Sequence, residues 1–185
     1  MNVRLSLFVF VLASSLIFAA QSSRKPQHPE QTRFGVEDEV HKPILLPDAA
    51  LNAIVETPGP DGILKQCAEE AGIEVREIPA AWFAASEVSL THSPHSGLVI
   101  RGENACLRGA HITQFWVLEE QSAGTYKVVF TGRADALDVL PTSLNGHRDL
   151  QLMFVMQAGA YVDYVRFRYS NEAYRKSGHR LTHPN

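Results

Sequence analysis

Two histidines in a short segment are the first residues of this chain whose spacing could support chemistry. His92 and His95 stand in the sequence His92-Ser93-Pro94-His95, and imidazole nitrogens are common zinc ligands. A zinc site needs about three or four protein ligands, and no carboxylate lies close to this pair along the chain. Proline and serine are ordinary turn residues. The segment therefore favours a turn over a metal site.

A second candidate is the segment Asn145-Gly146-His147-Arg148-Asp149, which places polar side chains at alternate positions as calcium loops do. Histidine is a poor ligand for a hard cation that prefers oxygen, and Arg148 adds an unfavourable positive charge. An Asn-Gly pair tolerates positive φ and is a strong hairpin signal. We predict a turn in which the carboxylate of Asp149 accepts backbone N–H bonds.

No complete set of catalytic residues can be assembled from the sequence. Cys106 and His111 could imitate a cysteine–histidine pair, but a disulfide would remove the thiolate that such a pair needs. Asp135 and Asp138 flank one turn, whereas glycosidase carboxylates converge on a cleft. Phosphate-loop and dinucleotide motifs are missing from the sequence. The prediction is a protein that is not an enzyme and holds no cofactor and no metal.

The first 22 residues have the features of an export signal. Arg4 provides a positive start, residues 5–20 are almost entirely apolar, and small residues flank Gln21. This pattern is typical of a secretory signal peptide, and the apolar run is shorter than the roughly 20 residues of a membrane span. An uncleaved N-terminal anchor is the alternative. We predict a periplasmic or secreted protein without stable membrane insertion after cleavage.

The chain has two cysteines, Cys67 and Cys106. An even count in an exported chain favours one disulfide. It would close a loop of about 40 residues and stabilise the fold by roughly 3–4 kcal/mol in the chain-entropy model. The alternative is two buried thiols.

Charge is distributed unevenly. The formal net charge is −3, which argues against a nucleic-acid binder. The C-terminal segment from Arg166 onward differs, because basic residues outnumber acidic ones there. Its single acidic residue is Glu172, and its lysine and arginines are Arg166, Arg168, Arg175, Lys176 and Arg180. Such a segment fits either an acidic partner or anionic surface, or a solvated end that keeps the protein soluble.

The elements that would position these residues begin after a polar stretch. Residues 23–43 contain few large apolar side chains and are predicted to form a flexible leader. A first helix should begin at Leu46-Pro47-Asp48 and end at Thr57-Pro58. A second should begin near Asp61 and end at Gly72, with Cys67 on its apolar stripe.

From Ala80 onward the apolar period shortens towards two, which is typical of strands. A brief strand ending at Pro141 precedes the final hairpin, whose strands cover residues 149–156 and 161–169. We predict an α+β fold with two N-terminal helices packed on a curved antiparallel sheet or small β-sandwich of six to seven strands. One domain would cover residues 44–178, followed by a basic tail at 179–185.

The final hairpin carries the best candidate for a binding surface. Tyrosine and arginine are over-represented in binding hot spots, and both are concentrated on this hairpin. The alternative is that one face packs the core and the other is solvated. The predicted surface residues are Ala158, Gly159, Ala160, Tyr161, Tyr164, Arg166 and Arg168.

Residues 80–176 contain a series of motifs. A Cys-Leu-Arg-Gly segment from Cys106 is followed by a Trp-Val strand, the Asn-Gly-His-Arg-Asp-Leu turn and a tyrosine-rich final hairpin. In this order the motifs resemble those of a group of uncharacterised exported bacterial proteins. The resemblance implies an exported domain of that type and carries no activity.

The segment from Gly146 to Asp149, followed by Ala158-Gly159-Ala160-Tyr161, is more weakly similar to periplasmic inhibitors of invertebrate-type lysozyme. That resemblance implies a loop inserted into an enzyme cleft, although the loop here is shorter and lacks a serine-rich sequence. Two hypotheses follow. One is an exported binding domain whose partner is another protein, and the other is an inhibitor or immunity-type protein against a cell-wall hydrolase or toxin.

Overall fold

The computed structural model describes residues 30–57, 62–122 and 124–183. The predicted signal peptide and the first part of the predicted leader lie outside these ranges. Two α-helices are present among the described residues, α1 (Asp48–Glu56) and α2 (Ile63–Ala71). The strands are β1 (Arg33–Gly35), β2 (Phe83–Val88), β3 (Gly97–Gly102), β4 (Thr113–Ser122), β5 (Thr125–Ala134), β6 (Ala136–Leu144), β7 (His147–Met156), β8 (Tyr161–Ser170) and β9 (Ala173–Thr182).

The strands form two antiparallel sheets. We call the four-stranded sheet, with order β2-β3-β4-β5, the central sheet. The five-stranded sheet, with order β1-β6-β7-β8-β9, is the outer sheet. The chain passes from one to the other at Asp135, the residue between β5 and β6.

The central sheet is buried on both faces, and β4 shows this most clearly. Phe115 and Val117 pack in the core between the two sheets. Trp116 and Leu118 point to the opposite side and pack in the core beneath the helices. Successive side chains of a strand alternate between faces, so a strand covered on both sides reads as a continuous apolar run. The molecule therefore has three layers, which are helices, central sheet and outer sheet.

A disulfide fastens the helical layer. The stripe of α2 is buried, and its member Cys67 is bonded to Cys106 in the segment between β3 and β4, with Cα atoms 5.7 Å apart. The predicted pairing is confirmed, and it fits an oxidising compartment. The left-handed conformation of Gly72, with φ of 69°, ends the helix as predicted. None of the helices in the described part of the chain is long and apolar enough to cross a bilayer.

The predicted fold class is wrong. Strands dominate, they number nine in two sheets among the described residues, and the helices lie mid-chain after a first strand. That strand, β1, falls within the predicted flexible leader. It pairs with β6, and Phe34 is only 1% exposed. A three-residue strand in a polar segment has too short a pattern to reveal its period.

Two arginines, the buried Arg101 and the partly exposed Arg108, hold the end of β1 and the residues that follow it. Arg101 donates to the carbonyl oxygens of Gly35 and Asp38, the latter at 2.6 Å. Arg108 donates to the carbonyl of Val36. The carboxylate of Glu103 accepts from both guanidinium groups. This charge-assisted network anchors a polar segment to β3 and to the segment between β3 and β4.

Two strands extend further than predicted. β6 continues beyond Pro141 to Leu144, with an irregular register between Val139 and Ser143. A proline cannot donate to the ladder, and Arg148 fills the gap by donating to the carbonyls of residues 139 and 140, each at 2.9 Å. β9 continues to Thr182, so residues 179–182 of the predicted basic tail belong to the outer sheet.

Candidate functional site

The turn between β7 and β8 has an unusual backbone. Gln157, Ala158 and Gly159 have consecutive φ angles of 51°, 53° and 93°. Only glycine adopts positive φ freely, and other residues there cost about 1 kcal/mol or more each. We call residues 157–160 the tip. Strained backbone of this kind is concentrated at binding sites and switch regions in proteins.

Exposed apolar side chains surround the tip. Five large apolar residues are exposed among the described residues, and three of them are Val155, Met156 and Leu181. Met156 lies opposite Tyr161 across the hairpin, and Leu181 lies opposite Asp163 on the neighbouring strand. A concentration of exposed apolar surface is typical of an interaction site. We call the tip, these three residues and Tyr161 the tip end.

A groove of about 570 Å³ lies beside the tip. Its lining includes Arg33, Val36 and Glu37 from β1 and the residues after it. Met153, Val155 and Ala158 contribute to it from β7 and the tip. Glu37 makes no hydrogen bond or ion pair with any other described residue. The groove therefore combines an apolar lining with a carboxylate free to meet a partner.

The second half of the predicted surface lies on the outer side of the outer sheet. Phe167 and Tyr169 of β8 pack towards the core, so Tyr164, Arg166 and Arg168 point away from it by strand alternation. On β9, Arg175 lies opposite Arg168 and Arg180 opposite Tyr164. The guanidinium carbon of Arg180 is 5.0 Å from the centre of the Tyr164 ring, a cation–π contact.

The same side of the sheet extends to β1. Arg33 lies opposite Asp138, which lies opposite Gln151, which in turn lies opposite Arg166. Residues directly opposite one another in antiparallel strands share a face. We call this surface the arginine face, and it consists of Arg33, Tyr164, Arg166, Arg168, Arg175 and Arg180.

Asp149 supports the arginine face from below and is 1% exposed. Its Oδ2 atom accepts from Thr142 Oγ1 at 3.0 Å and from Arg166 Nε at 3.1 Å. Its Oδ1 atom is buried without a hydrogen-bond partner among the described residues. The prediction that this carboxylate accepts backbone N–H bonds is wrong, because side chains bind it instead. The buried charge holds Arg166 in one orientation.

The Asn-Gly turn has the conformation expected of it, with φ of 52° at Asn145 and 79° at Gly146. His147 after it is stacked on Tyr169, with ring centres 3.6 Å apart, and its Nε2 lies 2.8 Å from Glu119 Oε1. Burial, and then the charge of Glu119, raise the pKa of Tyr169. This cluster connects β4 of the central sheet to the outer sheet and is structural.

The other residues considered for chemistry have structural contacts. Cys106 is in the disulfide and offers no thiolate. His95 lies 2.8 Å from a carboxylate oxygen of Glu87. Asp135 accepts the backbone N–H of Val155, and Asp138 pairs with Arg33. In the part of the chain that the structure describes, no group of three or more histidine, cysteine or acidic residues could hold a metal.

The structure thus divides the predicted binding surface in two. Ala158, Gly159, Ala160 and Tyr161 belong to the tip end, and the remaining three belong to the arginine face. Sequence reasoning did not join them to Arg33, Val155, Met156, Arg175, Arg180 or Leu181. Only strand pairing brings Arg33, Arg175 and Arg180 to one face.

Comparisons of the chain with protein-family models, curated proteins and solved structures find no match.

Proposed function

We propose that this protein is an exported, non-catalytic binding domain whose tip end docks onto a partner protein. The observation that carries the proposal is the coincidence of a strained, exposed turn with three of the five exposed large apolar side chains among the described residues.

Export is part of the same proposal. The N-terminal segment has the pattern of a signal peptide, and the disulfide fits an oxidising compartment. A partner in the periplasm or outside the cell is therefore the relevant kind.

The tip end has the physical properties of a recognition site. Burying its apolar side chains against a partner gains about 25 cal/mol for each Å² removed from water. A turn already held in its strained conformation loses little entropy on binding. The groove beside it can accept an apolar partner side chain, and Glu37 favours a basic group at its rim.

A site-specific photocrosslinker tests this proposal. Placed at Ala158 of the protein in its native host, it should give a discrete crosslinked product with one partner protein. The matched control is the same crosslinker at Leu45, which is 90% exposed and belongs to another part of the fold. Equal products from both positions, or none from position 158, would contradict the proposal.

The purified partner then provides a quantitative test. We expect Met156→Asp to weaken binding by about tenfold or more, because a charge would be buried against the partner. Leu45→Asp should leave the affinity within about twofold, since isolated surface substitutions have small effects. Equal affinities of the Met156 variant and the original protein would refute docking at the tip end.

A second candidate function is stoichiometric inhibition of a cell-wall hydrolase. It is favoured by the shape of the tip, since a short exposed turn at the end of two paired strands is a form that can enter an enzyme cleft. The purified protein would then abolish the activity of a lysozyme or amidase at equimolar concentration, and Ala158→Trp would relieve the inhibition. Full activity of these hydrolases in the presence of excess protein would contradict the inhibitor function and would be compatible with the general binding function.

A further inference from the structure

The arginine face is a second surface, and its charge is concentrated. Five arginines share it, while the acidic side chains between them are Asp138, which is paired with Arg33, and the buried Asp149. The chain as a whole has a net charge of −3. The positive charge is therefore a local property of one face. An anionic ligand would be attracted to this face and repelled by the rest of the molecule, which is acidic.

The shape of this face favours an extended ligand over a small one. Among the five best-formed cavities of the described part of the chain, one is lined by Arg33, and none is lined by Arg166, Arg168, Arg175 or Arg180. Arginines occur from β1 at one edge of the sheet to β9 at the other. Four strand spacings separate these edges, which is about 19 Å. One small anion can bridge two neighbouring guanidinium groups, whereas a charged surface can meet all five.

We propose that the arginine face binds the phosphate headgroups of an anionic lipid membrane. Guanidinium groups match phosphate oxygens with two parallel hydrogen bonds, and Asp149 holds the guanidinium of Arg166 in place. Val155 lies on the same side of the sheet by alternation and is 44% exposed. Tyr164 stands among the arginines, and tyrosine is favoured at the membrane interface.

Such binding is peripheral and does not need insertion of the chain. Basic side chains near an anionic membrane are attracted within about one Debye length, which is roughly 10 Å at 0.1 M salt. The inference does not rest on the docking of a protein at the tip end, since its five arginines lie outside the tip end.

Vesicle sedimentation tests the inference. The chain without residues 1–22 is mixed with vesicles of phosphatidylcholine alone or of phosphatidylcholine with phosphatidylglycerol. We expect binding only to the anionic vesicles, falling at least about tenfold as salt is raised from about 0.05 M to 0.5 M. Arg175→Glu with Arg180→Glu should reduce binding at least about tenfold. Failure of the original protein to bind anionic vesicles would overturn the proposal.

The matched control is Lys65→Glu with Arg76→Glu, which makes the same change in net charge at exposed positions outside the arginine face. An equal loss of binding in this control would attribute the effect to net charge and overturn the proposal. If the Glu variant does not fold, Arg175→Gln with Arg180→Gln takes its place, and its binding to anionic vesicles should still fall several-fold.

Polyglutamate is the second probe. Tight binding of polyglutamate together with no binding to vesicles would assign the face to an acidic protein instead.

Discussion

The central sheet and the outer sheet are built from the same antiparallel pairing, yet they differ in what covers them. The central sheet lies between the helices and the outer sheet, and β4 has six consecutive buried residues. The outer sheet has one covered face, and every residue of β8 keeps part of its surface exposed to solvent. A doubly covered sheet can only contribute stability. The outer sheet can display side chains, because it has a free face and a hairpin end that projects beyond the core. The arginine face lies on that free face, and the tip end lies at the hairpin end.

This difference implies that stability and binding can be changed separately. Substitutions in the central sheet should lower the free energy of unfolding and leave the affinity of the folded fraction unchanged. Substitutions at the tip end or on the arginine face should lower the affinity for the partner or the membrane and leave the free energy of unfolding nearly unchanged.

The largest effect is expected in the central sheet at Trp116. Its side chain is fully buried and meets Phe83 edge to face at 5.5 Å. We expect Trp116→Ala to lower the free energy of unfolding by about 3–5 kcal/mol, because a large cavity replaces the ring. Met156→Ala at the tip end should change it by about 0.5 kcal/mol or less. Urea denaturation of both variants measures this contrast, and similar losses would remove the distinction between the two sheets.

The disulfide should follow in size. Replacing Cys67 and Cys106 together by alanine frees a loop that spans 39 positions. The expected loss is roughly 3–4 kcal/mol in the chain-entropy model. Thermal unfolding with and without reductant measures it, since only the original protein should respond to reductant. A loss below about 0.5 kcal/mol would show that helix packing alone holds this region.

Asp149 should give an intermediate effect, because its deeply buried charge supports an exposed surface. Asp149→Asn removes the negative charge of the carboxylate that accepts from both Thr142 and Arg166. We expect a loss of about 2 kcal/mol in the free energy of unfolding. Asp138→Asn is the control. Asp138 also pairs with an arginine but lies nearer the surface, so about 1 kcal/mol or less is expected. Chemical denaturation should rank the two in this order, and the reverse rank would contradict the role assigned to Asp149.

Tyr174 should give the smallest effect on stability, and it depends on pH. Its hydroxyl donates to the carbonyl of Arg148 at 2.8 Å, and burial raises its pKa well above the ordinary value of 10.0. Above pH 10 the unfolded chain therefore loses this proton before the folded chain does, and stability falls as pH rises. Tyr174→Phe should cost about 1 kcal/mol at neutral pH and should flatten this alkaline decline.

Stability measured between pH 8 and pH 11 tests the alkaline effect around the ordinary tyrosine pKa of 10.0. Tyr164→Phe is the matched control, since that ring lies on the arginine face outside the core. An unchanged decline in the Tyr174 variant would assign the pH dependence to other groups.

Much of the outer sheet could be predicted because its signals are local. The strict alternation of residues 161–169 predicted β8, which spans Tyr161–Ser170. The Asn-Gly pair predicted the turn before β7. Each of these signals lies within a few neighbouring residues and needs no knowledge of the rest of the fold.

The features that were missed depend on distant contacts. β1 is held by arginines 63–72 positions away, so its polar surroundings suggested a flexible leader. Residues 179–182 of β9 were predicted to be a basic tail, although charged side chains are common on edge strands. The role of Asp149 was missed because its partners Thr142 and Arg166 lie 7 and 17 positions away.

Hydrogen exchange of the complex with the crosslinked partner tests most directly the claim that the outer sheet binds while the central sheet stabilises. We expect the partner to slow exchange in residues 153–164, which contain the tip, and to leave exchange in β3 and β4 unchanged. Slower exchange confined to the helices or to the central sheet, with residues 153–164 unaffected, would contradict this claim.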